Sequence, residues 1–287
     1  MKLQLSVPFL VAVAALAPAA LAQPTKPVYV EGYSLTVDVE ALAPAMKVVG
    51  KPSPEAQAMV GALHNTTHLQ SRFTLVKDIS RQEILSTDFI LPAGTQIFHK
   101  SGDRFYVIAD PKAKTHVVMD AWDLLTALEG GNGIVNTQYQ AKVDHTDERR
   151  DIAGYPCKKS ILTVTYASAI PFENDRILVQ QQNQVEIWHT ANLVSGEGLD
   201  HLFFRFQQDK VGTVRKVLQE EIGFPMEVRF VITQPGGKKA DAIQPGSFHY
   251  LVTAAKVEPK LNVADFTIPP GGSRQLDKNP YFVSLAR

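Results

Sequence analysis

Residues 226–233, MEVRFVIT, set Met226, Val228, Phe230 and Ile232 against Glu227, Arg229 and Thr233. Apolar and polar residues that alternate one by one mark a half-buried β-strand, because successive side chains of a strand point to opposite faces. The same rhythm runs outward from this stretch. FHYLVTAAKV (248–257) follows it, and RILVQQQNQVEIWHT (176–190), KSILTVTY (159–166) and IVNTQYQAKV (134–143) precede it, the last with Val135, Thr137, Tyr139, Ala141 and Val143 on one side. The glutamine run in 176–190 predicts a strand with one solvated face.

Further upstream the strands shorten. THLQSRFTLVK (67–77), RQEILSTDFIL (81–91), TQIFHK (95–100) and RFYVIAD (104–110) are separated by turn residues such as Pro92-Ala93-Gly94 and Ser101-Gly102-Asp103, the pattern of an antiparallel meander. Three segments read as helices. One follows Ser53-Pro54, one is DAWDLLTALEGG (120–131), and QDKVGTVRKVLQEEIG (208–223) carries Val211, Val214, Leu218 and Ile222 on one side before Gly223 and Pro225. The expected fold is therefore mainly β (α+β), a large antiparallel sheet with two or three helices covering its apolar face. No composition break divides the chain after residue 65, and PGGKK (235–239) reads as a hairpin loop.

The first residues, MKLQLSVPFLVAVAALAPAALAQ, carry a basic start, an apolar run and Ala20-Leu21-Ala22, the small-x-small spacing of a signal-peptide cleavage site. Cleavage is expected between Ala22 and Gln23, giving a periplasmic or secreted protein. Pro8 and Pro18 interrupt the run, so no transmembrane segment is expected in the mature chain. The organisation read from the sequence is a signal peptide over 1–22, a lead-in segment over 23–64 that holds one strand (VYVEGYSLTVDVE), and a single β domain over 65–287. With 29 basic and 29 acidic residues the chain has no general electrostatic affinity for nucleic acid. A hydrophobic content of 45% supplies a substantial core.

Chemistry is sparse. No nucleophile elbow, Ser-x-x-Lys pair, Walker loop or dinucleotide fingerprint occurs, and no cofactor is implied. His64 and His68 have the i, i+4 spacing of a helical metal pair but lack an activating glutamate, and the segment reads as a polar helix end. Asp144, Asp147, Glu148, Arg149, Arg150 and Asp151 read as a solvated strand end or loop. Cys157 is the only cysteine, so no intramolecular disulfide forms. With no base beside it, it reads as a small buried hydrophobe. Phe203, Phe204 and Phe206, with Trp188, either fill the core or line a pocket, depending on whether the helices pack tightly or sit as a lid.

Four segments carry a resemblance: Ile152-x-Gly154-Tyr155-x-Cys157, Glu186-Ile187-Trp188-His189-Thr190, Gly223-Phe224-Pro225-Met226-Glu227 and Phe266-Thr267-Ile268-Pro269-Pro270-Gly271. In this order they resemble a group of exported bacterial proteins of uncharacterised role whose architecture is similar to that of the lipoprotein carriers LolA and LolB. The resemblance spans about residues 65–275 and implies a curved half-barrel with a helical lid over an apolar cavity. It implies a structural cysteine at Cys157. It transfers no acyl-chain site.

The resulting expectation is a non-catalytic binding protein that holds a lipid acyl chain or other apolar small molecule. Strand phase nominates Phe73, Val107, Tyr139, Val164, Met226, Val228 and Phe230 as lining residues, with Phe203 and Phe204 from the lid. The alternative is an envelope protein-interaction or sensing module whose core is filled by its own side chains. A metal- or cysteine-dependent hydrolase has least support.

Overall fold

A computed structural model describes residues 28–42, 66–76, 78–88, 91–100, 103, 105–120, 135–172, 175–193, 212–231 and 248–277. They form strands β1 (Tyr29–Leu42), β2 (Thr66–Val76), β3 (Ile79–Thr87), β4 (Gln96–Lys100), β5 (Phe105–Asp110), β6 (Thr115–Asp120), β7 (Val135–Ile152), β8 (Tyr155–Phe172), β9 (Asp175–Thr190), β10 (Phe224–Val231), β11 (Phe248–Asn262) and β12 (Arg274–Gln275). Among the described residues there is one α-helix, α1 (Thr213–Glu221), and one 3-10 turn, Val263–Phe266. No described helix is long and apolar enough to cross a membrane.

All twelve strands belong to one open, curved sheet in the order β12-β6-β5-β4-β3-β2-β1-β11-β10-β9-β8-β7. It is antiparallel except where Arg274 and Gln275 pair in parallel with Thr115 and His116. The strand read as a lead-in is its keystone. β1 pairs with β2 on one side and β11 on the other, and so joins the N-terminal meander to the C-terminal strands. Local pattern identifies such a strand but carries no information about which distant strand it pairs with.

The Asp144–Asp151 charge run lies within β7, which continues to Ile152 and is exposed along this stretch. Among the described residues β7 ends the sheet and is paired on one side, and charges there are stable in water and oppose pairing with another chain. The turn into β8 is Ala153-Gly154, with φ 50° and 83°, between the paired Ile152 and Tyr155. Two residues at positive φ match the twist of the flanking strands, which explains the tight hairpin. β6 and β12 had no counterpart in the sequence reading. The helix proposed after Ser53, residues 121–131 of the second helix, the 235–239 loop, His64, Ile232, Phe206 and the cleavage region lie outside the described residues.

Residues directly opposite on neighbouring strands share a face of the sheet. Tracing the pairs gives an apolar face: Phe73 opposes Leu35, Val37 opposes Val252, Tyr250 opposes Val228, Val228 opposes Ile187, Val185 opposes Leu162 and Val164 opposes Ala141. These residues belong to one cluster with Val214 and Leu218 of α1. The opposite face is polar over its central strands.

Candidate functional site

On the apolar face the structure gathers most of the residues nominated from strand phase. Val164, Met226, Val228 and Phe230 are at most 2% exposed, and the partly buried Phe73 and Tyr139 pack against the same cluster. Tyr139 stacks on Tyr166 with centroids 5.2 Å apart. Val107 is not with them. It pairs with Phe98 and Val118, and the register through β3 and β2 places it on the opposite face, in a separate small cluster with Phe98 and Ala109. The reason is that Tyr106, Val107, Ile108 and Ala109 are all buried, so β5 has apolar residues on both faces and offers no alternation from which to choose the phase. Phe203 and Phe204 lie outside the described residues.

The C-terminal end of α1 is fastened to this face by a chain of polar side chains. The N–H of Gly223 donates to His189 Nδ1 at 3.0 Å. With Nδ1 accepting, the neutral ring carries its proton on Nε2 and donates to Ser160 Oγ at 2.9 Å. The Ser160 hydroxyl, 2.9 Å from His145 Nδ1, then donates onward, and His145 Nε2 donates to Glu221 Oε2 at 3.1 Å. A backbone donor at one end and a carboxylate at the other set the direction of every proton. Burial lowers the pKa of His189 to about 4, with His145 and Lys158 adding repulsion, so its ring is neutral at pH 7. Ser160, His145 and Glu221 stand in the order of a hydrolytic triad, yet Ser160 is 0% exposed and its oxygen also accepts from His189. The arrangement joins a helix to a sheet, with the Ser160 hydroxyl covered.

On the polar face Glu227, 3% exposed, is the hub of a second network. It pairs with Arg150, accepts from Arg229 Nε at 2.9 Å and from His249 Nε2 at 2.8 Å. Arg150 lies 4.1 Å above the Trp188 ring. Lys159, 15% exposed, bridges Glu148 and Glu186 at 3.1 and 3.6 Å. Each buried charge is thus matched by an opposite one, which is the condition for keeping charge out of water. Burial and the Arg229 guanidinium hold His249 below the usual histidine range.

Beside this hub an open groove of about 380 Å³ is lined by Asp38, Glu40, His68, Gln70, Ser86, His249 and Leu251, with Val39 and Leu69. Gln70 donates to Asp38 at 2.9 Å, and His68 lies 3.3 Å from Glu40. Among the described residues no group of three or more His, Cys, Asp or Glu side chains is placed to hold a metal ion.

Cys157 is 2% exposed within the main cluster, its thiol directed at the Tyr155 carbonyl at 3.2 Å. Burial pushes its pKa up, the opposite of what a nucleophile needs. Three of the four segments that carried the resemblance meet here. Gly223 bonds to His189, Trp188 opposes Glu227 across β9 and β10, and Cys157 opposes Arg150 across β8 and β7. The fourth lies elsewhere, with Phe266 under the Arg81 guanidinium, 4.9 Å away. Neither network was legible in the sequence, because no spacing relates residues 145, 160, 189 and 221, or 150, 227 and 249. No protein-family model matches the chain, and no curated protein matches it.

Proposed function

We propose that the protein is a non-catalytic binding protein of the periplasm or cell exterior that carries a lipid acyl chain or other apolar ligand on the apolar face of its sheet. In this reading the sheet is a half-barrel of the kind found in LolA and LolB. α1, with the further helices expected from the sequence, is the lid over that face.

The observation that carries the reading is the extent of the sheet's apolar face beside that of the one α-helix among the described residues. Apolar residues line one face across β2, β1, β11, β10, β9, β8 and β7, while α1 is nine residues long and buries Val214 and Leu218 against them. Its C-terminal end is held by hydrogen bonds as well as by the buried side chains of Leu218 and Ile222. An acyl chain taking the helix's place gains about 0.8 kcal/mol for each methylene removed from water.

A second reading is favoured by a specific feature. Val164, Met226 and Val228 are each 0% exposed, as they would be in a permanently filled core. The protein would then be an envelope interaction or sensing module. The two are separated by purifying the chain from residue 23 without detergent and comparing native with denatured mass, before and after incubation with envelope lipids. A stoichiometric apolar adduct supports the carrier, and its loss in Phe230→Glu, with the fold retained by circular dichroism, places the ligand on this face. A protein mass that stays clean throughout overturns the carrier in favour of the filled core.

A further inference from the structure

We propose that the chain from Gly223 through His189, Ser160 and His145 to Glu221 is a proton-operated clasp that releases α1 when the surroundings acidify. This rests on the reading of α1 as a lid and adds its regulation. Gly223 follows the cap residue Ile222 at the end of α1 and precedes Phe224, which pairs with Thr190 of β9. A side chain built on it would meet the Thr190 carbonyl oxygen at 2.4 Å and His189 Nδ1 at 3.2 Å, so the backbone is pressed against the strand and the imidazole.

Within that contact the Gly223 N–H needs an acceptor, and the lone pair on His189 Nδ1 is the one it has. A proton arriving on Nδ1 turns the pair into two donors facing each other at 3.0 Å, with Gly223 held there by the pairing of Phe224 with Thr190. Charged and titratable groups facing His189 are His145 from β7, Lys158 from β8 and, through His145, Glu221 from α1; Pro225, opposite it on β10, carries none. His145 and Lys158 both oppose a proton on His189 while α1 is docked. Separation of the helix lets water solvate the imidazolium, so protonation and opening favour each other.

The test is amide hydrogen exchange of the chain from residue 23, corrected for the intrinsic pH dependence of exchange and followed without ligand between pH 7.5 and 4.5. The expected result is a loss of protection of at least about tenfold at residues 216–222, which at every pH stay less protected than β1 and β11, and no such loss in His189→Gln. Glutamine offers the same acceptor and donor but takes no proton. Unchanged protection of α1, protection at 216–222 equal to that of β1 and β11 throughout, or a wild-type response in His189→Gln each overturns the clasp. Should that variant not fold, imidazole ¹⁵N resonances of the wild type decide. An Nδ1 of His189 unprotonated at pH 7.5, titrating at the midpoint of α1 opening, supports the proposal, and a separate midpoint overturns it. Acid opening of α1 in a chain that captures no apolar ligand upholds the clasp and removes the carrier reading alone.

Discussion

His189 Nδ1 accepts the backbone N–H of Gly223 at 3.0 Å, and this bond assigns the tautomers of His189 and His145 and seats the junction between α1 and β10 on the end of β9. A Cβ at Gly223 would fall 2.4 Å from the Thr190 carbonyl oxygen. Gly223→Ala is therefore expected to cost about 2–3 kcal/mol, because the clash is with backbone that cannot rotate aside. The urea midpoint of unfolding measures it, and an unchanged midpoint refutes the close contact.

Stability should fall on acidification through the histidines. Folding depresses the His189 pKa from the usual 6.5 to about 4 and depresses that of His249 as well. The unfolded chain then binds more protons than the folded one below pH 6.5. The stabilisation is complete above pH 6.5, declines as the pH falls, and for His189 levels off near pH 4. A urea midpoint followed from pH 7.5 to 4 should drop across this window, and less steeply in His189→Gln.

Glu227 is expected to be the most sensitive carboxylate of the described residues. Glu227→Gln leaves Arg150, Arg229 and His249 arranged around a neutral group and should cost about 2–4 kcal/mol, the partial exposure of Arg150 limiting the loss. Thermal unfolding of this variant beside Glu258→Gln, whose partner Lys256 is exposed, makes the comparison. Equal small effects would show that the buried hub contributes no more than a surface pair.

Cys157 should be slow to react. Its burial and raised pKa predict negligible labelling by a soluble disulfide reagent at pH 8 in the folded protein and complete labelling in urea. Rapid modification of the native chain would contradict its place in the core.

The β7–β8 turn offers a gain. Ala153 adopts φ 50°, where a Cβ is strained by about 1 kcal/mol, so Ala153→Gly or Ala153→Asn should stabilise the protein by up to about 1 kcal/mol. Gly154→Ala, at φ 83°, should act in the opposite direction. Melting temperatures of the three variants test both signs.

Alternation by itself determined the existence and type of most strands. Met226, Val228 and Phe230 point into the core as their spacing requires, and Ser160 to Tyr166 and Phe248 to Val257 lie on strands where the pattern places them. The helix before Gly223 is where its apolar spacing puts it, though it begins at Thr213, after Gly212 at φ 72°. These features follow from local geometry, since the period of the side chains is set by the backbone they sit on.

Only the tertiary structure decided the rest. It placed β1 at the centre of the sheet, turned Val107 to the face opposite Val228, kept the charged second half of β7 in a strand, and buried Glu227 on the polar phase of its own strand. It also assembled His145, Ser160, His189 and Glu221 from three strands and a helix. Each of these depends on which distant segment lies opposite, and such pairings are set by the summed burial and hydrogen bonding of the whole sheet, which no local window of sequence contains.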